Sequence, residues 1–216
     1  MFETEVFVDA PDSAGGSLPG ILAIPGAVSG LVIFAHGSGS SRLSPRNKQL
    51  AGALGRRGMA TLLFDLLTPA EAAERENVFD IPLLARRLVG ALEWSARMPQ
   101  LASLPVGLFG GSTGAAAALL AAAEAPQRVG AVVSRGGRAD MVAESLDRVQ
   151  APTLLIVGGE DTQVLDLNRM AFSRLTCEAR LEIVPGATHL FEEPGALERV
   201  GELAGDWFAA HLSRAP

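Results

Sequence analysis

Eight short apolar runs recur along the chain, and most of the stretches between them carry helical periodicity. No other feature constrains the fold as tightly. The runs are Thr4–Val8, Gly20–Ile24, Leu31–Ala35, Ala60–Phe64, Val106–Phe109, Ala131–Ser134, Thr153–Val157 and Leu181–Val184. From the third onward they are brief and nearly continuous in hydrophobicity, as strands buried on both faces of a parallel sheet are. Candidate helices lie between them at Arg46–Arg57, Ile81–Arg97, Thr113–Glu124, Met141–Val149, Val164–Leu175 and Ala196–His211. This alternation, with right-handed crossovers, implies an open, mostly parallel eight-stranded α/β sheet with helices on both faces. Only a turn region, PDSAGGSLPG, separates the first two runs, so they are expected to form an antiparallel edge hairpin. No repeat, linker or low-complexity segment divides the chain, and residues 1–216 read as one domain.

Composition removes several function classes. With 216 residues and 48% hydrophobic content, the core needs no disulfide or metal staple, and the lone Cys177 cannot form an internal bridge. A net charge of −6, with the arginines scattered, argues against a nucleic-acid partner. The longest apolar run, Ala115–Ala123, falls well short of the roughly 20 residues that span a membrane. The N-terminus shows no basic stretch followed by an apolar one. A soluble, cytoplasmic protein with no membrane partner is expected, and nothing sets its oligomeric state.

In open α/β sheets ligands bind beyond the carboxyl ends of the strands, so the residues following each run are where chemistry belongs. After VGLF comes Gly110-Gly111-Ser112-Thr113-Gly114, a G-x-S-x-G pentapeptide followed at once by an alanine-rich helix. That spacing suits a serine on a sharp strand-to-helix turn, its hydroxyl raised above the sheet at a helix N-terminus. The same residues also describe an ordinary glycine-rich turn with a helix-capping serine. A serine nucleophile needs a base held by an acid. Of the three histidines, His211 lies in the last helix, His36 follows the third strand, and His189 follows the last strand. His189, on the loop after the last strand, matches the chain order serine, acid, histidine, while His211 reads as a surface or helix-end residue. The acid belongs after the penultimate strand, where TLLIVGGED places Asp161 and its close competitor Glu160; Asp65 is a weaker alternative.

An acyl-transfer transition state also needs donors for its oxyanion. The backbone N–H of Thr113 is one expectation. The other is the backbone N–H of Ser38 in the segment His36-Gly37-Ser38-Gly39-Ser40-Ser41, with Gly37 close behind. His36 is expected to fix that loop by hydrogen bonds. The segment lacks the G-K-[ST] ending of a P-loop and the spacing of a dinucleotide fingerprint. No His, Cys or carboxylate cluster has metal-ligand spacing, and no cofactor is implied. Phe79, within Asn77–Pro82, is a candidate wall of a substrate pocket together with His36 and Gly37. The same stretch also reads as a helix entry with Asp80 as N-cap. Arg42 and Arg46 could meet an anionic substrate or form salt bridges.

Taken together, strand-HGSGSSR, strand-GGSTG-helix, strand-GGED and PGATHLFEEPG resemble the α/β-hydrolase superfamily, and within it the dienelactone-hydrolase-like branch. The resemblance covers nearly the whole chain. It implies an α/β-hydrolase fold with Ser112, Asp161 and His189 as nucleophile, acid and base. It also implies cleavage of a small-molecule ester or lactone through an acyl-enzyme. Dienelactone hydrolases carry Cys where this chain has Ser112, so a general carboxylic ester hydrolase is the expectation. Larger members of the superfamily insert a lid after the sixth strand. The short stretch between Ser134 and Thr153 leaves room for one helix and a turn, so no separate cap is expected. The same triad would serve amide or thioester cleavage or acyl transfer, and a non-catalytic binding protein on this fold is the remaining alternative.

Overall fold

Strands that are apolar on both faces require a helical layer on each side, and the central strands of the computed structural model meet that requirement. The structure describes residues 2–13 and 15–212. The strands are β1 (Phe2–Asp9), β2 (Ser17–Ile24), β3 (Gly30–Ala35), β4 (Met59–Phe64), β5 (Val106–Gly111), β6 (Ala131–Arg135), β7 (Thr153–Gly158) and β8 (Ala179–Val184). The helices are α1 (Pro45–Arg56), α2 (Pro69–Ala73), α3 (Arg75–Val78), α4 (Ile81–Arg97), α5 (Thr113–Glu124), α6 (Thr162–Phe172) and α7 (Ala196–His211). All eight strands form one sheet in the order β1-β2-β4-β3-β5-β6-β7-β8. The β1–β2 and β2–β4 pairs are antiparallel and the remaining pairs parallel.

Successive residues of a strand serve opposite cores. Leu31 and Ile33 of β3, with Leu108 of β5, pack into the layer that contains α4 and α5. Val32, Phe34 and Phe109 pack into the layer of α1 and α7, where the rings of Phe34 and Phe109 stack 4.9 Å apart. This division explains why the runs show no alternation. It also explains the composition of α5, which is buried from Thr113 to Ala123. Wedged beside α4 and over β5, it can carry only small and aliphatic side chains.

Local signals set most boundaries. Ser44 caps α1 with Pro45 in its first turn, and the Asp80 side chain accepts from Leu83 N–H at the start of α4. Several strands begin one to three residues earlier than expected, one expected helix is of another type, and two helices are shifted. The first is α1, which begins one residue earlier than the periodicity suggests. The second is α6, which runs from Thr162 to Phe172 rather than from Val164 to Leu175. The helix expected at Met141–Val149 is a 3-10 helix over Ala139–Arg148, broken at Val142 (φ −129°). It forms the connection between β6 and β7. The short helices α2 and α3 were not expected at all. Their signal is the Thr68-Pro69-Ala70-Glu71 capping box, in which the Thr68 and Glu71 side chains satisfy each other's backbone N–H. Among the described residues no helix is long and apolar enough to cross a membrane.

The closest backbone approach in the sheet lies at the start of α5. A Cβ on Gly114 would sit 2.2 Å from Ala35 O, and one on Gly110 would sit 2.4 Å from Ala115 Cα. Neither neighbour can yield, since both are backbone atoms. Replacing Gly114 by Ala is therefore expected to lower unfolding free energy by about 3 kcal/mol, the upper part of the overpacking range. Urea denaturation of the variant beside the wild type measures this.

Candidate active site

Ser112 occupies the turn that Gly110 and Gly114 make possible. Its backbone, at φ 53° and ψ −122°, is one of two non-glycine positive-φ residues among those described. Strain of this kind, of order 1–3 kcal/mol, persists only where packing over-determines the conformation. Here β5 holds it from one side and α5 from the other. Ser112 N–H donates to Arg135 O at 3.1 Å, while its side chain caps nothing. The capping alternative for this serine is thereby removed. The hydroxyl stands at the N-terminus of a helix whose first-turn N–H donors lack partners within the helix.

The loop after β3 backs directly against this turn. A Cβ on Gly37 would lie 2.9 Å from Gly111 O and 3.1 Å from Ser112 Cβ. His36 anchors the loop as a neutral ring. Its Nδ1 lies 3.1 Å from Gly37 O, and its Nε2 accepts from Leu66 N–H at 3.0 Å. An Nε2 that accepts leaves Nδ1 to carry the proton. Burial pushes the His36 pKa below 6.5, against opposing contributions from the Gly37 carbonyl and Asp65. The expected structural role of His36 matches this geometry. Ser38 N–H, expected to be open for an oxyanion, instead donates to Thr113 Oγ1 at 2.9 Å.

His189 and Asp161 come together across the carboxyl edge of the sheet. His189 Nδ1 lies 2.6 Å from Asp161 Oδ2, so Nε2 is left to face a nucleophile. Asp161 is the N-cap residue of α6, yet its side chain makes no capping bond. Its carboxylate is spent on the imidazole instead. Glu160 is exposed, its N–H tied to Ala187 O, and Asp65 is bound elsewhere. The His189 loop is pinned by Phe191, which is fully buried in the α1/α7 core at φ 55°. The loop also brings the imidazole against the end of β6, where a Cβ on Gly136 would lie 3.4 Å from His189 Cε1. Ser112, His189 and Asp161 thus occupy one corner of the sheet. The Asp161–His189 bond is formed, and no hydrogen bond joins Ser112 Oγ to His189 among the described residues. Such contacts often tighten only when substrate is bound.

Beside the Gly37–Ser38 backbone and Thr113 lies a cavity of about 290 Å³. Leu66, Leu67, Val78 and Leu84 give it an apolar wall. Two candidate pocket residues lie outside it. Arg42 is held by Asp65, with its N–H on Oδ1 at 2.7 Å and Nη1 on Oδ2 at 2.5 Å, which neutralises its charge. Phe79 is 43% exposed with the Arg75 guanidinium over its ring, because the preceding turn of α3 directs Val78 inward instead. Arg46 pairs with Glu192 at 3.0 Å on the surface.

Sequence reading gave no warning of the Arg135 environment. The side chain is 8% exposed, with Nε buried and unbonded, and its guanidinium lies against Gly111 and 5.8 Å from the Phe191 ring centroid. Burial, with Arg46 as the neighbouring charge, pushes its pKa down to about 10. A charged residue closing an otherwise apolar strand was the available signal. Cys177 lies between α6 and β8, far in sequence from Ser112, and burial pushes its thiol pKa up. Among the described residues no group of three or more His, Cys, Asp or Glu could hold a metal ion.

Comparison with known proteins extends these observations. A family model described as an alpha/beta hydrolase domain matches residues 28–202. The crystal structure of a dienelactone hydrolase from Anabaena variabilis ATCC 29413 is 52% identical, covers 98% of each chain and superposes with a TM-score of 0.93. Est1E from Butyrivibrio proteoclasticus shares the fold at 16% identity, with a TM-score of 0.82 over 96% of this chain and 98% of that one. Two strains of Mycobacterium tuberculosis carry proteins named "Putative phosphoribosyl transferase" that are 59% identical over 193 residues, 89% of this chain. The chain spans 44% of the length of those relatives.

The His36 clamp has a consequence for stability. A histidine whose folded pKa is depressed stabilises the fold fully above its unfolded value of 6.5. That contribution is lost progressively as pH falls from there toward the folded value. The wild type should therefore lose more unfolding free energy than His36→Gln between about pH 7.5 and about pH 5. Urea unfolding of both proteins at the two pH values checks the sign.

Proposed function

The chain belongs to the α/β-hydrolase family, on its dienelactone-hydrolase-like branch, and from that premise we propose a serine hydrolase that cleaves small carboxylic esters or lactones. The observation that carries this reading is the 2.6 Å Asp161–His189 bond beside a serine held at positive φ between two glycines. Those are the parts that a hydroxyl needs to become a nucleophile at neutral pH.

The chemistry follows from the geometry. Ser112 Oγ attacks the ester carbonyl carbon as its proton passes to His189 Nε2. Asp161 holds the Nδ1 proton and offsets the charge of the imidazolium. The carbonyl π pair moves onto oxygen, which collects donors at the N-terminus of α5. Collapse of the tetrahedral adduct expels the alcohol, which takes the proton from His189, and leaves an acyl-enzyme on Ser112. Water then attacks the acyl carbon, gives its proton to His189, and releases the carboxylic acid as Ser112 recovers its proton.

The cavity bears on the substrate. Its wall is aliphatic, and the nearby Arg42 charge is cancelled by Asp65. Both features favour an uncharged apolar substituent on the reacting carbonyl over an acidic one. The dienelactone hydrolase neighbour and the Est1E fold support a hydrolase. The transferase name of the mycobacterial relatives we assign to the length that this chain does not match.

With p-nitrophenyl esters as substrates, Ser112→Ala is expected to remove turnover, and Asp161→Asn to lower kcat by about 10³–10⁴-fold through loss of the imidazole tautomer. Unchanged turnover in Ser112→Ala rejects the reading. Filling the cavity with Val78→Phe should lower kcat/KM for the butyrate ester relative to the acetate by about 10-fold, as a hydrophobic pocket of changed size does. Parallel losses on both esters would separate the cavity from substrate binding.

A further inference from the structure

Two backbone N–H groups, of Thr113 and of Ser38, are expected to serve an oxyanion, and that of Ser38 is already taken. Ser38 N–H donates to Thr113 Oγ1 at 2.9 Å. The threonine oxygen therefore stands where an oxyanion would meet that N–H. Thr113 is 3% exposed, and it lines the cavity beside His36, Gly37 and Ser38. Its hydroxyl thus sits between the loop after β3 and the first turn of α5, at the edge of the space open to substrate.

The hydroxyl's own bonding capacity points the same way. A threonine hydroxyl has one proton to give and two lone pairs to receive with. Ser38 N–H fills a lone pair, and among the described residues no protein acceptor takes the proton. Accepting a hydrogen bond polarises an O–H and makes it a better donor. The β-branch narrows the χ1 rotamers open to the side chain, and the Ser38 N–H bond selects the one observed. Valine in this position would keep the shape and lose the proton. Serine would keep the proton and lose the restriction.

We propose, on the basis of the serine-hydrolase reading above, that the Thr113 hydroxyl is itself an oxyanion donor. Thr113 then contributes two bonds, from N–H and from Oγ1–H, and Ser38 N–H acts behind it by orienting and polarising the hydroxyl. Ser38 is a positioning residue in this arrangement rather than a direct donor. The competing possibility is that the hydroxyl merely plugs the Ser38 N–H and swings away when substrate arrives. The two predict opposite signs for the same substitution. Removing a donor slows the chemical step, whereas removing a plug leaves it unchanged or speeds it.

The test is steady-state hydrolysis of p-nitrophenyl acetate by the wild type, Thr113→Val and Thr113→Ser, with circular dichroism and urea unfolding confirming the fold of each. Thr113→Val is expected to lower kcat by about 10²-fold with KM within about 2-fold, the pattern of a donor engaged mainly in the transition state. Thr113→Ser should recover most of the lost rate. Should Thr113→Val fail to fold, Thr113→Ala, which adds no atoms, makes the same comparison against serine. A folded Thr113→Val or Thr113→Ala enzyme as fast as the wild type overturns the proposal and leaves the serine-hydrolase reading standing. Serine as slow as valine also overturns it, since the methyl would then be what matters. An inactive wild type removes the underlying reading and this proposal together.

Discussion

The approach of α5 to β3 and β5 is the contact on which the site depends. Without side chains on Gly110 and Gly114, the first turn of α5 reaches the Ala35 carbonyl and the end of β5. That approach forces the intervening Ser112 to positive φ and raises it above the sheet edge. The rest of the corner is built against the same turn. Gly37 brings the loop after β3 onto Ser112 Cβ, and Gly136 brings the end of β6 under the His189 ring. The all-small face of α5 is part of the same solution, because bulk on that helix would lift it from the strands.

What the sequence disclosed follows from how local each determinant is. The bounds of α4, α5 and α7 agree with expectation because period and cap sit within each segment. The antiparallel β1–β2 edge follows from the short connection between the two runs, whereas the order that seats β4 between β2 and β3 is set by packing across the sheet and has no local signal. The segment at 139–148 misled because its amphipathic period is helical while Val142 is not. Determinants that lie across the chain were harder to read. The choice of Asp161 over Glu160 rests on which carboxylate faces a loop far along the sequence. For Arg42 the sequence left an anion contact and a salt bridge both open, because its partner Asp65 lies at another strand end. Phe79 attracted attention as the large residue in its segment, whereas the turn of α3 presents Val78 to the cavity. The bond from Ser38 to Thr113 joins two loops that no periodicity relates.

Charge distribution adds a second constraint. Arg135 holds a buried guanidinium beside Gly111, one residue before Ser112, with Arg46 as its electrostatic neighbour and Phe191 within cation–π distance. Charges interact more strongly where water is excluded, so an uncompensated cation there favours negative charge in its surroundings. An oxyanion is the negative charge that the proposed reaction brings to this corner. The adjoining cavity has an aliphatic wall of Leu66, Leu67, Val78 and Leu84, and the Asp65 carboxylate on its lining is paired with Arg42 outside it.

A covalent bond from Ser112 Oγ to the substrate is the central step of the proposed reaction. Incubation of the wild-type protein with a fluorophosphonate, followed by intact mass measurement and peptide mapping, examines that bond directly. One adduct per chain, on the peptide containing Ser112, is the expected result. No adduct, or one mapped to Cys177 or another serine, would contradict it.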